Sequence, residues 1–163
     1  MSDVDSYDAD DYGTWFFVEG NPVGQARARA STGPKGRIRF YTPKKSADWK
    51  QAAIREIRFM RLCDTPHTGP VWLRVIAIFQ ASKSRLKNKK RSYLNQHLQR
   101  PDLDNVVKAV MDAGNGLLWV DDAQVWKILA EKQWSSVRPE LGAAAKEKPG
   151  VYFQVITGPD RTK

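Results

Sequence analysis

Between Thr65-Pro66 and Ala81 the chain runs apolar on both alternating faces, with Arg74 the only break in its longest stretch, Val71 to Phe79. This is far short of the roughly 20 residues that cross a bilayer, and an apolar run of this length between turn signals reads as a strand covered on both sides. Such a strand belongs in the interior of a sheet with another layer packed on it. At 163 residues, 41% of them hydrophobic, the chain is long enough for one domain with a real core and too short for two.

The flanking patterns supply partners for that central strand. Trp15 to Glu19 is aromatic and β-branched and is closed by Gly20-Asn21-Pro22, which predicts a strand and a turn. Gly24 to Lys35 reads as loop, and Arg37, Arg39 and Tyr41 alternate with Ile38 and Phe40 as a short basic strand or hairpin arm. A helix is expected from Pro43 to Leu62, with Trp49, Ala53, Ile57 and Met60 as its apolar stripe and Arg55, Arg58 and Arg61 as a solvated row. Lys83 to Arg100 carries seven basic residues and no acidic one, which predicts a mobile basic loop. A second helix places Leu103, Val106, Val107 and Val110 on one face and stops at Gly114-Asn115-Gly116. Val125 to Glu131 alternates as a half-exposed strand, and Val151 to Thr157 supplies another. The order predicts an α+β fold, a small mixed sheet with two main helices packed on it. The expected divisions are an acidic tail over residues 1–13, the folded domain over 14–158 and a C-terminal tail over 159–163.

Charge narrows the function classes. Lys and Arg total 27 against 18 Asp and Glu, a formal +9, and residues 1–11 hold five aspartates without a basic residue. Removing that tail's −5 leaves +14 on the remainder, a surface suited to a phosphate backbone and excessive for a small nucleotide-sugar ligand. The N-terminus has no apolar signal core and the lone Cys63 cannot close an internal disulfide, so the expected setting is cytoplasmic, without a membrane. Cys63 is assigned to packing, and His67 and His97, which have no partner at ligand spacing, to the surface.

The segment Arg100 to Lys108, followed by Asp112 and by Asp121-Asp122-Ala123-Gln124, gathers five aspartates and a lysine around one short helix. An isolated Asp-x-Asp most often caps a helix, and Asp-Asp often makes a turn. On a helix starting near Leu103, however, Asp104 and Lys108 share a face that the apolar residues do not occupy. Asp121 and Asp122 follow an apolar run, Leu117 to Val120, that must dock against the core. Facing carboxylates about 4 Å apart repel by roughly 4 kcal/mol at an effective dielectric near 20, and a divalent cation relieves this. Oxygen-only ligation selects Mg²⁺ or Mn²⁺, and a metal held by carboxylates suits phosphodiester hydrolysis. Lys108 either orients water or steadies developing charge, or it simply pairs with Asp104. Met111 lies near the Asp104 face by helical angle, with packing favoured over a contact with DNA bases. A non-catalytic nucleic-acid-binding module is the rival reading.

These residues resemble the RusA-like Holliday junction resolvases, whose pattern is Pro-Asp-x-Asp-Asn-x-x-Lys, an Asn-Gly turn and Asp-Asp-Ala-Gln. Pro101 to Lys108, Asn115-Gly116 and Asp121 to Gln124 match at consistent spacing. Gly20-Asn21-Pro22, Arg27-Ala28-Arg29 and Tyr41-Thr42-Pro43 extend the likeness over about residues 14–158. The chain departs from the pattern where Pro101 separates Arg100 from Asp102 and where Gly114 stands in place of a common leucine. The resemblance implies a homodimeric, Mg²⁺-dependent endonuclease of a bacterial cell or phage that resolves four-way DNA junctions in recombination and repair. It implies Asp102, Asp104 and Asp122 as metal-binding catalytic carboxylates, Asp121 as a supporting ligand and Lys108 as a catalytic base-type residue. DNA contact falls by position to Arg27, Arg29, Lys83, Arg85, Lys87, Lys89, Lys90, Arg91 and Arg100. A less specific nuclease acting on flaps or forks is the alternative within the same chemistry.

Overall fold

The run Val71–Phe79 is strand β4, and Val71, Leu73, Val75 and Ala77 on one of its faces are 0% exposed. Burying each such Val or Leu side chain is worth roughly 1.5–3 kcal/mol, so this strand anchors the domain. It appears here in a computed structural model of the chain that describes residues 13–32, 36–60, 65–87, 95–135 and 148–158. The acidic tail up to Tyr12 and the segments carrying Cys63, Lys89, Lys90 and Arg91 lie outside the described residues.

In chain order the elements are β1 (Thr14–Glu19), β2 (Arg29–Thr32), β3 (Ile38–Tyr41), α1 (Lys44–Met60), β4, α2 (Lys83–Lys87), α3 (Leu103–Gly114), β5 (Val125–Trp134) and β6 (Gly150–Thr157). The four-stranded sheet has the order β1-β6-β4-β5, and β2 pairs with β3 as a separate two-stranded arm. β4 lies antiparallel to β6 and parallel to β5, which makes the sheet mixed, as expected. β6 in turn holds β1 antiparallel, with Phe16 stacked on Phe153 at 4.9 Å. Helices α1 and α3 supply Trp49, Ala53, Ile57, Val106, Ala109 and Val110 to the core, the apolar stripes read from their spacing. The fold is α+β.

Several expectations need correction. Arg29–Thr32 is a strand rather than loop, because it pairs with Ile38–Tyr41 to close the arm. Met60, the last residue of α1, is 39% exposed and does not continue the buried stripe of Trp49, Ala53 and Ile57. The described residues of the basic stretch are structured rather than loop throughout. The stretch opens as α2, and Gln96 later forms an antiparallel bridge with Gln133 of β5. That bridge carries His97 into the interior, 4% exposed and stacked on Phe79 at 3.7 Å with Trp134 on its other side at 4.3 Å. His67 is also half-buried, and its Nε2 is shielded from solvent without a hydrogen-bond partner. Met111 packs against the core, the ordinary role. β5 differs most. Trp126 to Leu129 are exposed on both faces of the strand, where alternation predicted one buried face.

The end of α3 is set by a close approach. Trp119, 0% exposed, lies against Gly114, and a Cβ there would meet indole carbons at 2.8 and 2.9 Å. Leucine does not fit this position, which accounts for the departure seen in the sequence. Gly116, at φ +71°, then turns the chain back.

Gly114→Ala is expected to destabilise the fold by about 1–3 kcal/mol, the usual range for overpacking, measured by denaturant unfolding. A second expectation concerns His97. Burial, followed by nearby Lys132, lowers its pKa from the ordinary 6.5. The unfolded chain therefore takes up the proton first as pH falls, and His97 withdraws stability below about pH 6.5, the unperturbed histidine value. Thermal melts from pH 7.5 downward should show wild type losing more stability than His97→Phe; equal slopes would remove this assignment.

Candidate active site

The carboxylates at the start of α3 are free of the task that usually explains them. Asp102 occupies the N-cap position with extended backbone, φ −68° and ψ 150°, yet its side chain makes no capping hydrogen bond. It is exposed, as is Asp104 in the first turn, whose Oδ1 accepts only a long 3.4 Å bond from Asn105 Nδ2. Lys108 is exposed one turn further on, and among the described residues it makes no ion pair with Asp104. Asp112, another turn along, is half-buried.

This helix start is held from two sides. Gln25 N–H donates to Asn105 O at 2.7 Å, and Gly24 lies so close to Pro101 and Asn105 that a side chain there would collide with both. The Gly24 strap is itself tied to α1, where Ser46 Oγ donates to Gly24 O at 3.1 Å and accepts from Ala26 N–H at 3.3 Å. From the sheet, Lys132 Nζ donates to Gln99 O at 2.8 Å and to Pro101 O at 2.7 Å. Lys132 was not singled out in the sequence. Its position near the end of a strand gives no sign that it reaches the backbone before Asp102.

The second acidic stretch sits in the corner that enters β5. Asp122 accepts a 2.9 Å bond from Trp119 Nε1, so the buried indole fixes this carboxylate. Asp121 caps the short 3-10 turn Asp122–Gln124 through a 2.8 Å bond from Ala123 N–H, and Gln124 Oε1 accepts from Asp121 N–H at 2.8 Å. The turn reading therefore accounts for one oxygen of Asp121. Gln124 Nε2 clamps the corner to His67 O at 2.9 Å and Gly69 O at 2.7 Å, which explains the glutamine of the motif.

The two stretches stand apart within the chain. Asp102 and Asp104 lie at the N-terminal end of α3, whereas the indole that holds Asp122 covers Gly114 at its C-terminal end. A helix of 12 residues is about 18 Å long. Among the described residues no group of three His, Cys, Asp or Glu is gathered closely enough to hold a metal ion. The donor chemistry nonetheless suits a hard cation, because Mg²⁺ commonly takes one or two carboxylates and completes its shell with water and substrate phosphate. Asp102 and Asp104 offer that pair.

Of the basic residues, Arg27, Lys83, Lys87 and Arg100 are exposed. Arg27 follows the strap pinned to Asn105, and Arg100 immediately precedes the Asp102 segment. Arg85 is half-buried, with its guanidinium 4.8 Å from the Trp134 ring centre, so part of its surface serves packing. Arg29 lies in β2, but its side chain is outside the described residues.

Comparison with known proteins agrees with this reading of the motif. Residues 19–142 match the family model described as Endodeoxyribonuclease RusA, a span that includes the Gly24 strap, both acidic stretches and β5. The "Uncharacterized protein YqaN" of Bacillus subtilis (strain 168) is 34% identical over 125 residues, covering 74% of this chain and 87% of that protein. With the free carboxylates of α3, the clamped Asp-Asp-Ala-Gln corner and a family match across most of its length, the chain belongs to the RusA endodeoxyribonuclease family.

Proposed function

We propose that this protein is a divalent-metal-dependent endonuclease, using Mg²⁺ or Mn²⁺, that resolves four-way DNA junctions as a homodimer by paired phosphodiester cleavage. The observation that carries the reading is Asp102, an N-cap residue whose carboxylate caps nothing, standing two residues from an exposed Asp104. A carboxylate pair held, among the described residues, only by the long Asn105 bond to Asp104, at the positive end of a helix, suits a cation and its phosphate ligand better than it suits stability.

In this reading Asp102 and Asp104 hold the metal, Asp122 completes the carboxylate set and Asp121 supports it with its remaining oxygen. The bound metal supplies an activated water and neutralises charge on the phosphate oxygens. The work of the chain's own groups is positional. Trp119 Nε1 fixes the rotamer of Asp122, the Gly24 strap and Lys132 fix the helix start, and Lys108 presents its ammonium to the attacked phosphate. Arg27, Arg29, Arg100 and the basic residues of 83–91 track the backbone of the arms. A two-fold protein presents equivalent sites to two strands of a junction that is itself nearly two-fold. Cytoplasmic DNA is the matching setting, and no helix among the described residues is long and apolar enough to cross a membrane.

The test is cleavage of matched synthetic duplex, fork and four-way substrates with Mg²⁺, then with chelator. Wild type should nick the four-way substrate in pairs, and Asp104→Asn should be slower by at least about 10²-fold, the loss typical of removing a group that stabilises transition-state charge. Duplex or fork cut as readily as the junction would remove the junction specificity. An uncut junction under Mg²⁺ would leave only a binding module. Asp102→Ala separates function from capping: true N-cap replacements cost about 1 kcal/mol, whereas here unfolding should move by less than about 0.5 kcal/mol while cleavage is lost.

A further inference from the structure

Among the described residues no layer covers either face of the β2–β3 arm. Ala30, Ser31, Thr32, Arg37 and Arg39 are exposed, and Ile38 and Phe40 remain 67% and 74% exposed. A two-stranded ribbon is only marginally stable by itself in water, and holding two large apolar side chains out on one does nothing for the core. Register sorts the arm into two faces, because directly opposed residues of a strand pair share a face. Phe40 stands opposite Ala30 and Ile38 opposite Thr32 on one face, and Arg39 stands opposite Ser31 on the other. Each large side chain meets a small one across the ribbon, which leaves the Phe40 ring and the Arg39 guanidinium open on their outer sides.

Both legs of the arm are rooted at the acidic helix start. Ser46, in the first turn of α1 just beyond β3, donates to Gly24 O at 3.1 Å and accepts from Ala26 N–H at 3.3 Å, just before β2. One buried hydroxyl therefore ties the outgoing leg to the returning one. Between these two contacts Gln25 N–H donates to Asn105 O at 2.7 Å, one residue from Asp104. The chain from Gln25 to Ala30, the residue opposite Phe40, spans at most about 18 Å. That is the rise of about five nucleotides. A strand held at Asp102 and Asp104 therefore runs within reach of Phe40.

Charge selects the occupant. From Gly20 to Ala47 the sequence holds seven basic residues and no acidic one, and Arg27, Arg37 and Arg39 are exposed. A second copy of the arm laid on the first brings these like charges together. Nucleic acid instead offers phosphates to the basic face and flat apolar bases to the other. Within a continuous duplex each base pair is stacked on both sides, and wedging a ring between two pairs costs their stacking. The pairs that border a branch lack one stacking neighbour, so an aromatic ring adds to them without that cost.

We infer that the β2–β3 arm reads the branch: Phe40, backed by Ile38, stacks on a base pair bordering the crossover, while Arg37 and Arg39 hold phosphates of the adjoining strand. The inference rests on the branched-DNA reading above and names the element that tells a branch from continuous duplex.

The test uses a four-way junction and a duplex of matched sequence, with 2-aminopurine placed at a branch pair or away from it, and protein carrying Asp104→Asn so that binding is seen without cleavage. Adding Phe40→Ala should weaken junction binding by about tenfold, the usual scale for one base–aromatic stack, leave duplex binding unchanged and abolish the fluorescence change at the branch. Phe40→Tyr, which keeps a ring, should restore both. Arg37→Gln and Arg39→Gln should weaken junction and duplex alike, and each should lower the salt slope by about one. All three residues are exposed, so the body of the fold tolerates the changes. Junction binding unmoved by Phe40→Ala, or weakened equally on duplex, overturns the inference and leaves the nuclease reading standing. A lower oligomeric state of Phe40→Ala in sedimentation equilibrium shows the apolar face covered by a second copy and also overturns it. A wild type that neither binds nor cuts the junction removes the branched-DNA reading itself, and the arm's role with it.

Discussion

The interior position of β4 governs this molecule. A strand with Val71, Leu73, Val75 and Ala77 fully buried on one face needs a neighbour on each edge and a layer above it. β6 takes one edge and β5 the other, and α1 and α3 close over the buried face. Because β5 joins parallel to β4, the chain leaving β4 has to return to the end of the sheet where β4 begins before it can enter β5, and the end of α3 already lies by the Trp119 corner there. The corner at Trp119 to Gln124 turns the returned chain into β5, and it is where the second pair of aspartates lies. The acidic stretches are thus separated by the same geometry that satisfies β4.

Polar groups around the site divide their labour according to burial. Gln124 and Lys132 spend their donors on backbone carbonyls of other segments, at 2.7–2.9 Å, and fix the corner and the helix start. Trp119, sunk against Gly114, leaves its one donor for Asp122. Among the described residues Asp102 makes no capping bond and Asp104 accepts only a long one from Asn105, which leaves their lone pairs for something outside the chain. His97 shows the contrary case. Wedged between Phe79 and Trp134 with Nδ1 lacking a partner, it contributes ring packing and is held neutral.

Much of this was legible before any coordinates. The apolar run of β4, broken only at Arg74, and the stripe Val106, Val110 of α3 announce buried elements through pattern, and both stand close to where it places them, although Trp72, Arg74 and Ile76 on the second face of β4 are only half-buried. The acidic motif also stood out, since its residue types and spacing speak of chemistry irrespective of fold. Three features were not legible. His97 looked like a loop residue because its stacking partners lie 18 residues before it and 37 after it in the chain. Arg29–Thr32 looked like loop because its partner strand decides its state. In β5, Val125, Lys127, Leu129 and Glu131 alternate with Trp126, Ile128 and Ala130, and this suggested one covered face although the isolated chain covers neither from Trp126 to Leu129.

By itself the amino-acid sequence determined most of the long strands and both main helices, which helix face is apolar and which carboxylates, lysine and glutamine form the motif, because these rest on periodicity and residue chemistry within a few positions; Arg29–Thr32 and Lys83–Lys87 escaped it. Only the tertiary structure decided that β5 is an edge, that Lys132 grips the backbone before Asp102 and that Trp119 takes the space over Gly114. Strand order and contacts between distant segments come from the summed burial of the whole chain, and local pattern is indifferent to them.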